Sequence, residues 1–254
     1  MNSGTSEGAS RRERLRAEFT ADIKRVAREQ LNEDGLHGVT LRGIARRLGV
    51  APAGLYRYFD SLEALIEALN CDIYDDLIAG ARREMEAAGE GRFERMRAWV
   101  MNYRAWAVGN PREFELTLYS GGATHSPIHT FHTHLRNPVE ELSPAALKAM
   151  EHARLCGGEL GELWRERSEE FDPVPMPEMS EALLEEVART CGAFIVGEGV
   201  PAEMSYRFMS GWTRVFGLIA MEVHQMLPIR DEVDEFYRVE LASILAGFGL
   251  DTSV

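Results

Sequence analysis

Hydrogen-bonding side chains with an informative spacing occupy residues 40–59 of this 254-residue chain. They are a hydroxyl, two guanidinium groups and two phenols, carried by Thr40, Arg42, Tyr56, Arg57 and Tyr58. Such groups hydrogen-bond to phosphate oxygens, which fixes position, and to base edges, which reads sequence. The set therefore predicts binding to a nucleic acid, with Thr40 and Arg42 at a phosphate and the other three at phosphates or bases.

The residues between these polar groups predict how they are positioned. Thr40 is a good N-cap for a short helix that runs through Leu48. Gly49 suits the left-handed conformation of a sharp turn. Pro52 suits the first turn of a second short helix, which we expect to end near Phe59. Two short helices joined steeply by such a turn form a helix-turn-helix.

The second helix is expected to enter the major groove of double-stranded DNA, where all four base pairs can be distinguished. Pro52, Ala53 and Gly54 stand at its start, and the two small residues allow close approach to base edges. An ordinary hairpin of two helices with a polar surface is the alternative. The combination of cap, turn and small residues is more specific than any of them alone.

Charge is distributed unevenly along the chain. The net charge is −13, yet residues 1–60 hold 11 Lys and Arg against 8 Asp and Glu, and the remainder holds 17 against 33. A basic head can bind phosphates while an acidic body is repelled. After a disordered start at residues 1–10, Arg11, Arg12, Arg14 and Arg16 are expected to form an arm on DNA, with a solvated tail as the alternative.

Patterns typical of enzymes are missing from the sequence. It contains no H-E-x-x-H, P-loop, nucleophile elbow or dinucleotide fingerprint. Cys71, Cys156 and Cys191 are too far apart for a C-x-x-C pair, which predicts reduced thiols. The glutamates within residues 159–170 lack the Glu-x-x-His partners of a di-iron bundle. We expect no catalytic activity, no cofactor and no metal; an interaction protein that has lost DNA binding is a further alternative.

The residues from Ile23 to Leu69 resemble the DNA-binding domain of the TetR/AcrR regulators. The resemblance rests on Ala27, Gly35, the run Val39-Thr40-Leu41-Arg42-Gly43-Ile44-Ala45, the run Leu48-Gly49-Val50-Ala51, and Leu55-Tyr56-Arg57-Tyr58-Phe59. It implies an all-helical, two-domain homodimer, and most commonly a repressor that a small molecule releases from DNA. Leu62 departs from the pattern, because the family commonly has a lysine there.

The remaining chain predicts further helices and no strands. Candidate spans are 92–108, 111–119, 143–171, 180–196, 202–226 and 232–248. The fold class is therefore all-α, with a three-helix helix-turn-helix domain at residues 11–60 and a larger helical bundle at 61–254 for effector binding and dimerisation. The stretch Gly211 to His224 resembles the Trp/His/Gly-marked C-terminal domain of one subset of the same regulators. The polar first twenty residues and the lack of a long apolar run favour a cytoplasmic protein with no membrane contact.

Two sets of residues are proposed for the body. The helix at 202–226 is apolar nearly all round and needs partners on two faces. We expect its outer face and the preceding helix to form a homodimer interface through Leu184, Val187, Cys191, Trp212, Val215, Ile219 and Val223. An aromatic-lined pocket for a small organic effector is expected at Trp99, Asn102, Tyr103, Trp106, Phe114, Tyr119, Trp164 and Phe194; an ordinary core is the alternative.

Four histidines cluster at His125, His129, His132 and His134. A zinc site needs converging imidazoles, whereas this segment follows Gly121-Gly122 and contains Pro127. We interpret it as a polar loop over the pocket, and contact with an acidic ligand or with a metal stays open.

Overall fold

Every regular element that the structure describes is a helix. The structure is a computed structural model that describes residues 4–118, 143–168, 175–176 and 178–248. Its helices are α1 (Gly4–Asp34), α2 (Leu41–Leu48), α3 (Pro52–Leu55), α4 (Leu62–Ala87), α5 (Arg92–Gly109), α6 (Pro111–Thr117), α7 (Pro144–Arg167), α8 (Glu181–Val187), α9 (Ala202–Val223) and α10 (Val233–Ala246). The all-α prediction is confirmed, and no strand occurs within these ranges.

Two compact units make up the chain. The first comprises Met1–Ile73 with Arg112–Phe131, and the second comprises Tyr74–Pro111 with His132–Val254. The first unit therefore extends beyond the predicted domain at residues 11–60, because the first turns of α4 and most of α6 pack with it. No helix among the described residues is long and apolar enough to cross a membrane.

The core of the first unit is built on one face of α1. Ile23, Ala27 and Leu31 recur at helical spacing and are buried almost completely. They pack with apolar residues of α2, α3 and α4, namely Ile44, Ala45, Leu55, Leu65 and Leu69. Burying each large aliphatic side chain stabilises the unit by about 1.5–3 kcal/mol, which fixes the positions of α2 and α3.

The end of α1 confirms a prediction. Gly35, the predicted C-cap, has a φ of +73° and donates from its N–H to Leu31 O at 2.9 Å. At the other end α1 begins at Gly4, and the disordered start expected at residues 1–10 stays a prediction. The sequence Gly4–Ser10 is small and polar, and the helix continues through it from the strongly periodic turns that follow.

The second unit is centred on α5, α7 and α9. Ser143 and Ser180 cap α7 and α8 by accepting hydrogen bonds from the N–H groups three residues on, at 3.3 Å in each case. Both serines begin the predicted spans within one residue. Helices α5, α7 and α9 pack around an aromatic core that includes Trp99, His152 and Trp212.

A π-helix at Ala188–Val196 continues α8. It ends where Gly197 N–H donates to Gly192 O at 2.7 Å, a bond that spans five residues. The end of this segment lies against α7, because a Cβ added at Gly161 would stand 1.9 Å from Val196 O. Glycine at position 161 is therefore required for this close approach.

An ion-pair network ties α5 to α9 and α10. The Arg104 guanidinium donates to both carboxylate oxygens of Glu222, at 2.7 and 2.8 Å, and to Asp234 at 2.6 Å. It also lies over the Tyr237 ring, 4.3 Å from its centre. The hydrogen bonds that Arg104 donates to Glu222 outweigh the effect of burial and raise the pKa of Arg104, so the charge is held permanently inside the unit.

Candidate functional site

Thr40 caps α2 as the sequence predicts. Its hydroxyl oxygen accepts a hydrogen bond from Gly43 N–H at 3.1 Å, while its own N–H donates to Gln30 Oε1 at 3.1 Å. The backbone at Thr40 is extended and the residue is exposed. Free N–H groups at the start of a helix favour anions, and the exposed Thr40 and Arg42 stand at that end of α2.

Gln30 is a positioning residue that the sequence analysis missed. Its side chain is buried at the crossing of α1 and α2, where a Cβ on Gly43 would come within 2.4 Å of its amide nitrogen. Gly43 therefore allows α2 to approach α1 closely enough for Gln30 to hold Thr40. A polar residue on the apolar face of α1 is the only sequence signal for this role.

The turn between α2 and α3 has the predicted geometry. Gly49 adopts φ 69° and ψ 29°, the left-handed conformation. Val50 N–H donates to Ala45 O at 3.0 Å, which closes the end of α2. No atom of the described residues lies within 4 Å of a Cβ built on Gly49, so its backbone conformation alone calls for glycine.

Helix α3 is shorter than predicted, and most of its surface is exposed. Regular helix ends at Leu55, and hydrogen-bonded turns continue to Phe59 through Tyr58 N–H and Phe59 N–H, which both donate to Leu55 O. Pro52, Ala53 and Arg57 are exposed, Gly54 is half-buried, and Tyr56 has 55% of its surface exposed. Since Leu55 is fully buried, α3 packs through one residue and leaves its remaining surface outward.

The arginines of α1 lie beside the end of this turn. Arg16 Nη2 donates to Arg57 O at 3.0 Å, and its guanidinium stands 5.4 Å from the centre of the Tyr58 ring. Arg11 and Arg12 lie on the same side of α1 and, with Arg16, line a groove that includes Arg57. Arg14 is exposed but is not part of the groove.

The body contains a buried aromatic cluster in place of an open pocket. The Trp99 and Tyr103 rings are buried and lie 5.7 Å apart, and Trp106 stacks on Tyr103 at 6.1 Å. Trp212 and His152 complete the cluster, at 5.3 and 4.6 Å from Trp99. Three of the predicted pocket residues, Trp99, Tyr103 and Trp106, thus lie together, whereas Trp212 and His152 were not predicted to lie with them.

The other predicted pocket residues are described one by one. Phe114 is buried and belongs to the first unit. Trp164 is half-buried on α7, and Asn102 on α5 has a buried Oδ1 that lacks a hydrogen-bond partner among the described residues. Tyr119, the Phe194 side chain and the histidines at 125, 129, 132 and 134 lie outside what the structure describes. Its described residues contain no grouping of His, Cys, Asp and Glu suited to a metal ion.

His152 is a polar residue in an apolar setting. Trp99 Nε1–H donates to the His152 backbone oxygen at 3.1 Å, and His152 Nε2 is buried with no partner in the described ranges. Burial lowers the pKa of His152 to about 3, so the ring is neutral. Adjacent to the cluster is an apolar cavity of about 60 Å³, whose lining includes Trp99, Trp212 and Cys156.

The residues predicted for the dimer interface divide into two groups. Val187, Cys191, Val215 and Ile219 are buried inside the second unit. Their apolar character therefore serves the core of the unit, and they offer no surface to a second copy. Leu184, Trp212 and Val223 are half-buried. Exposed apolar residues of the same unit include Leu183 on α8, Met221 on α9, Met226 just after α9 and Val239 on α10.

Two family models match the chain. The model for bacterial regulatory proteins of the tetR family matches residues 23–69, which include α2 and α3. A model for the tetracyclin repressor-like C-terminal domain matches residues 96–244, which is more than half of the chain.

Curated relatives match over part of their length. The HTH-type transcriptional regulators Rv1816 of Mycobacterium tuberculosis and Mb1846 of Mycobacterium bovis are each 32% identical to this chain over 123 residues. The matched stretch covers 48% of this chain and 50% of each relative. The chain thus matches about half the length of these regulators.

Solved structures share the fold at low sequence identity. A protein described as a candidate regulatory protein, SCO4313, has a TM-score of 0.65 at 20% identity, with 92% of this chain and 98% of that chain covered. A protein of unknown function from Rhodococcus sp. RHA1 has a TM-score of 0.63 at 18% identity, covering 91% and 95%. A TetR family transcription regulator from Marinobacter aquaeolei VT8 has a TM-score of 0.50 at 15% identity, covering 90% and 96%.

Proposed function

The chain belongs to the TetR family of bacterial regulatory proteins, and we propose that it is a cytoplasmic, homodimeric repressor that a small organic effector releases from a palindromic operator. DNA-binding transcription regulation, without enzymatic activity, is common to this family and to the regulators that the chain resembles. We propose, in addition, that it represses transcription, responds to an effector and acts as a dimer through the residues discussed below.

The observation that carries the proposal is the exposed surface of α3 behind a fixed turn. Thr40 and Gly49 define the two ends of α2 by a side-chain cap and a left-handed turn. Leu55 anchors α3 in the core. Ala53 and Tyr56 are thereby held outward on a rigid frame, which is what base and phosphate contacts require.

The aromatic cluster supports effector control. An effector of ordinary size needs a pocket of about 300–1,000 Å³, and the cavity beside Trp99 is far smaller. A ligand that enters there must therefore displace Trp99, Trp212 or their neighbours. Because such a ligand has affinity only for the opened form, its binding shifts the population toward that form. This gives release from DNA a physical cause.

Dimerisation is supported by the exposed apolar residues of the second unit. Leu183, Met221 and Met226 lie on or next to α8 and α9, the helices where the interface was predicted. A twofold pair of recognition helices about 34–36 Å apart engages two half-sites in successive major grooves. A second copy would bury these side chains together with Leu184 and Val223.

The experiment is a binding titration on the DNA beside the protein's own gene. The purified protein is expected to shift an intergenic duplex at low salt, to footprint a palindrome, and to lose binding when an effector raises its thermal stability. Failure to shift any duplex at low salt would favour the interaction protein that has lost DNA binding. A Val50→Glu variant, which disrupts packing at the turn, is the matched control for specific binding.

A further inference from the structure

A basic groove lies between the first half of α1 and the end of the helix-turn-helix. It has a volume of about 530 Å³ and is lined by Arg11, Arg12, Leu15, Arg16, Arg57 and Tyr58. Four of these six residues are arginines. Three of the arginines, Arg11, Arg12 and Arg16, lie in the first half of α1. The match to the family's DNA-binding domain starts at residue 23, so this part of α1 stands outside it.

The groove is held in shape by contacts at its base. The Tyr58 ring packs against Phe19, with centroids 5.0 Å apart, and carries the Arg16 guanidinium on its face. Arg16 in turn donates to Arg57 O at 3.0 Å. These contacts order one arginine and the backbone of another before any ligand arrives, which lowers the entropy cost of binding.

The groove concentrates positive charge. Among the side chains described from residue 11 onward, no carboxylate pairs with Arg11, Arg12, Arg16 or Arg57. By contrast Arg25 and Arg47 of the same unit both bind glutamates. Like charges that are held close together repel one another, and an anion relieves that repulsion. Guanidinium groups suit phosphate oxygens, which they bind in a two-point geometry.

We propose that this groove binds backbone phosphates of duplex DNA that flank the half-site read by α3, a role that rests on the operator binding proposed above. Arg57 and Tyr58 line the groove and follow the end of α3 by two and three residues, so the groove faces the DNA backbone beside the major groove that α3 enters. From Arg16 to its start at Gly4, α1 extends about 18 Å, equal to the rise of about five base pairs. Such contacts supply anchoring in place of the lysine that is replaced here by Leu62.

The test is the salt dependence of binding for an Arg11→Ala/Arg12→Ala variant. Binding of the protein is measured on two duplexes, one of about 40 base pairs of random sequence and one footprinted intergenic duplex. The salt concentration is varied from about 50 to about 200 mM. Each lost phosphate contact lowers the slope of log K against log salt by about 0.9, so a loss of about 1.8 per protomer is expected. Trimming the flanks of the intergenic duplex should abolish the difference between variant and wild type.

Controls separate the groove from net charge and from folding. Arg83→Ala/Arg189→Ala removes two exposed charges from the second unit and should leave the slope unchanged. Arg11→Lys/Arg12→Lys keeps the charges and should retain most of the slope. An unchanged slope and affinity in the alanine variant, with wild type binding normally, would overturn the groove's role alone. Absence of wild-type binding to both duplexes would overturn operator binding as well.

Discussion

Arg28 of α1 and Glu113 of α6 form a two-point ion pair although they stand 85 residues apart in the chain. Arg28 Nε and Nη2 each donate to a different carboxylate oxygen at 2.7 Å, and Asn32 Nδ2 donates a third hydrogen bond at 3.1 Å. Glu113 is only 2% exposed. Both residues belong to the first unit, so α6 is fastened to the helix that carries the core of the DNA-binding head.

A Glu113→Gln variant should lose about 1–3 kcal/mol of unfolding free energy, because a buried hydrogen-bonded charge is replaced by a group that satisfies Arg28 less well. Burial opposes ionisation of Glu113, but hydrogen bonds from Arg28 and Asn32 outweigh it and hold its pKa below the ordinary 4.5. The stabilisation is therefore complete above pH 4.5 and is lost as pH falls further. Urea denaturation between about pH 3 and about pH 7 measures the loss of unfolding free energy and its dependence on pH.

The control for that variant is Glu115→Gln. Glu115 pairs with Arg112 on the surface of α6 at 3.1 Å, and exposed pairs contribute about 0–1 kcal/mol. Equal losses in the two variants would show that the Arg28 pair has no special weight.

Two glycines near the turn should respond differently to alanine. Gly49→Ala forces an L-residue into the left-handed region and should cost about 1–2 kcal/mol of stability. Gly54 has no described atom within 4 Å of an added Cβ and has no left-handed φ, so Gly54→Ala should leave stability nearly unchanged while it weakens DNA binding. Thermal melts paired with duplex titrations distinguish them, and a stable Gly49→Ala protein would contradict the strain argument.

Tyr56→Ala should weaken DNA binding on the order of tenfold, since a hydrogen bond to a charged group contributes about 1.5–3 kcal/mol. The side chain is more than half exposed, so the melting temperature should hardly move. Tyr56→Phe separates the hydroxyl from the ring. If the alanine variant binds as wild type does, Tyr56 has no contact with DNA.

His152 should make stability depend on pH. Its pKa falls from an ordinary 6.5 to about 3 through burial, so between these values only the unfolded chain takes up the proton. Stability should decline as pH falls below 6.5, by up to about 1.4 kcal/mol per pH unit. His152→Phe should remove this component. His224→Phe, on an exposed residue, should not, and a profile that His152→Phe leaves unaltered would refute the assignment.

Local chemistry made much of this fold predictable. Thr40 and Gly49 act through their own backbone neighbours, so their roles could be inferred from residue type and spacing. Most helix ends fell where a serine, glycine or proline suggested.

Contacts between distant parts of the chain could not be inferred in the same way. Nothing near Arg28 in sequence points to Glu113, and His152 looks like a surface residue until α5 packs on it. The predicted interface residue Val215 shows the same limit, since an apolar side chain can serve a core or a partner equally well. The basic groove forms because α1 packs beside Tyr58. That contact depends on tertiary packing and has no local sequence signal.

The close approach of Gly161 to Val196 constrains how this sequence can change over time. The carbonyl of Val196 occupies the space of a Cβ at position 161, and that carbonyl is placed there by the π-helix. If one residue of the π-helix is deleted and an α-helix is restored, position 161 no longer needs glycine. If the π-helix is kept, Gly161 must be kept too. We therefore expect relatives that have the π-helix to have glycine at the position of Gly161, and relatives without the π-helix to tolerate other residues there.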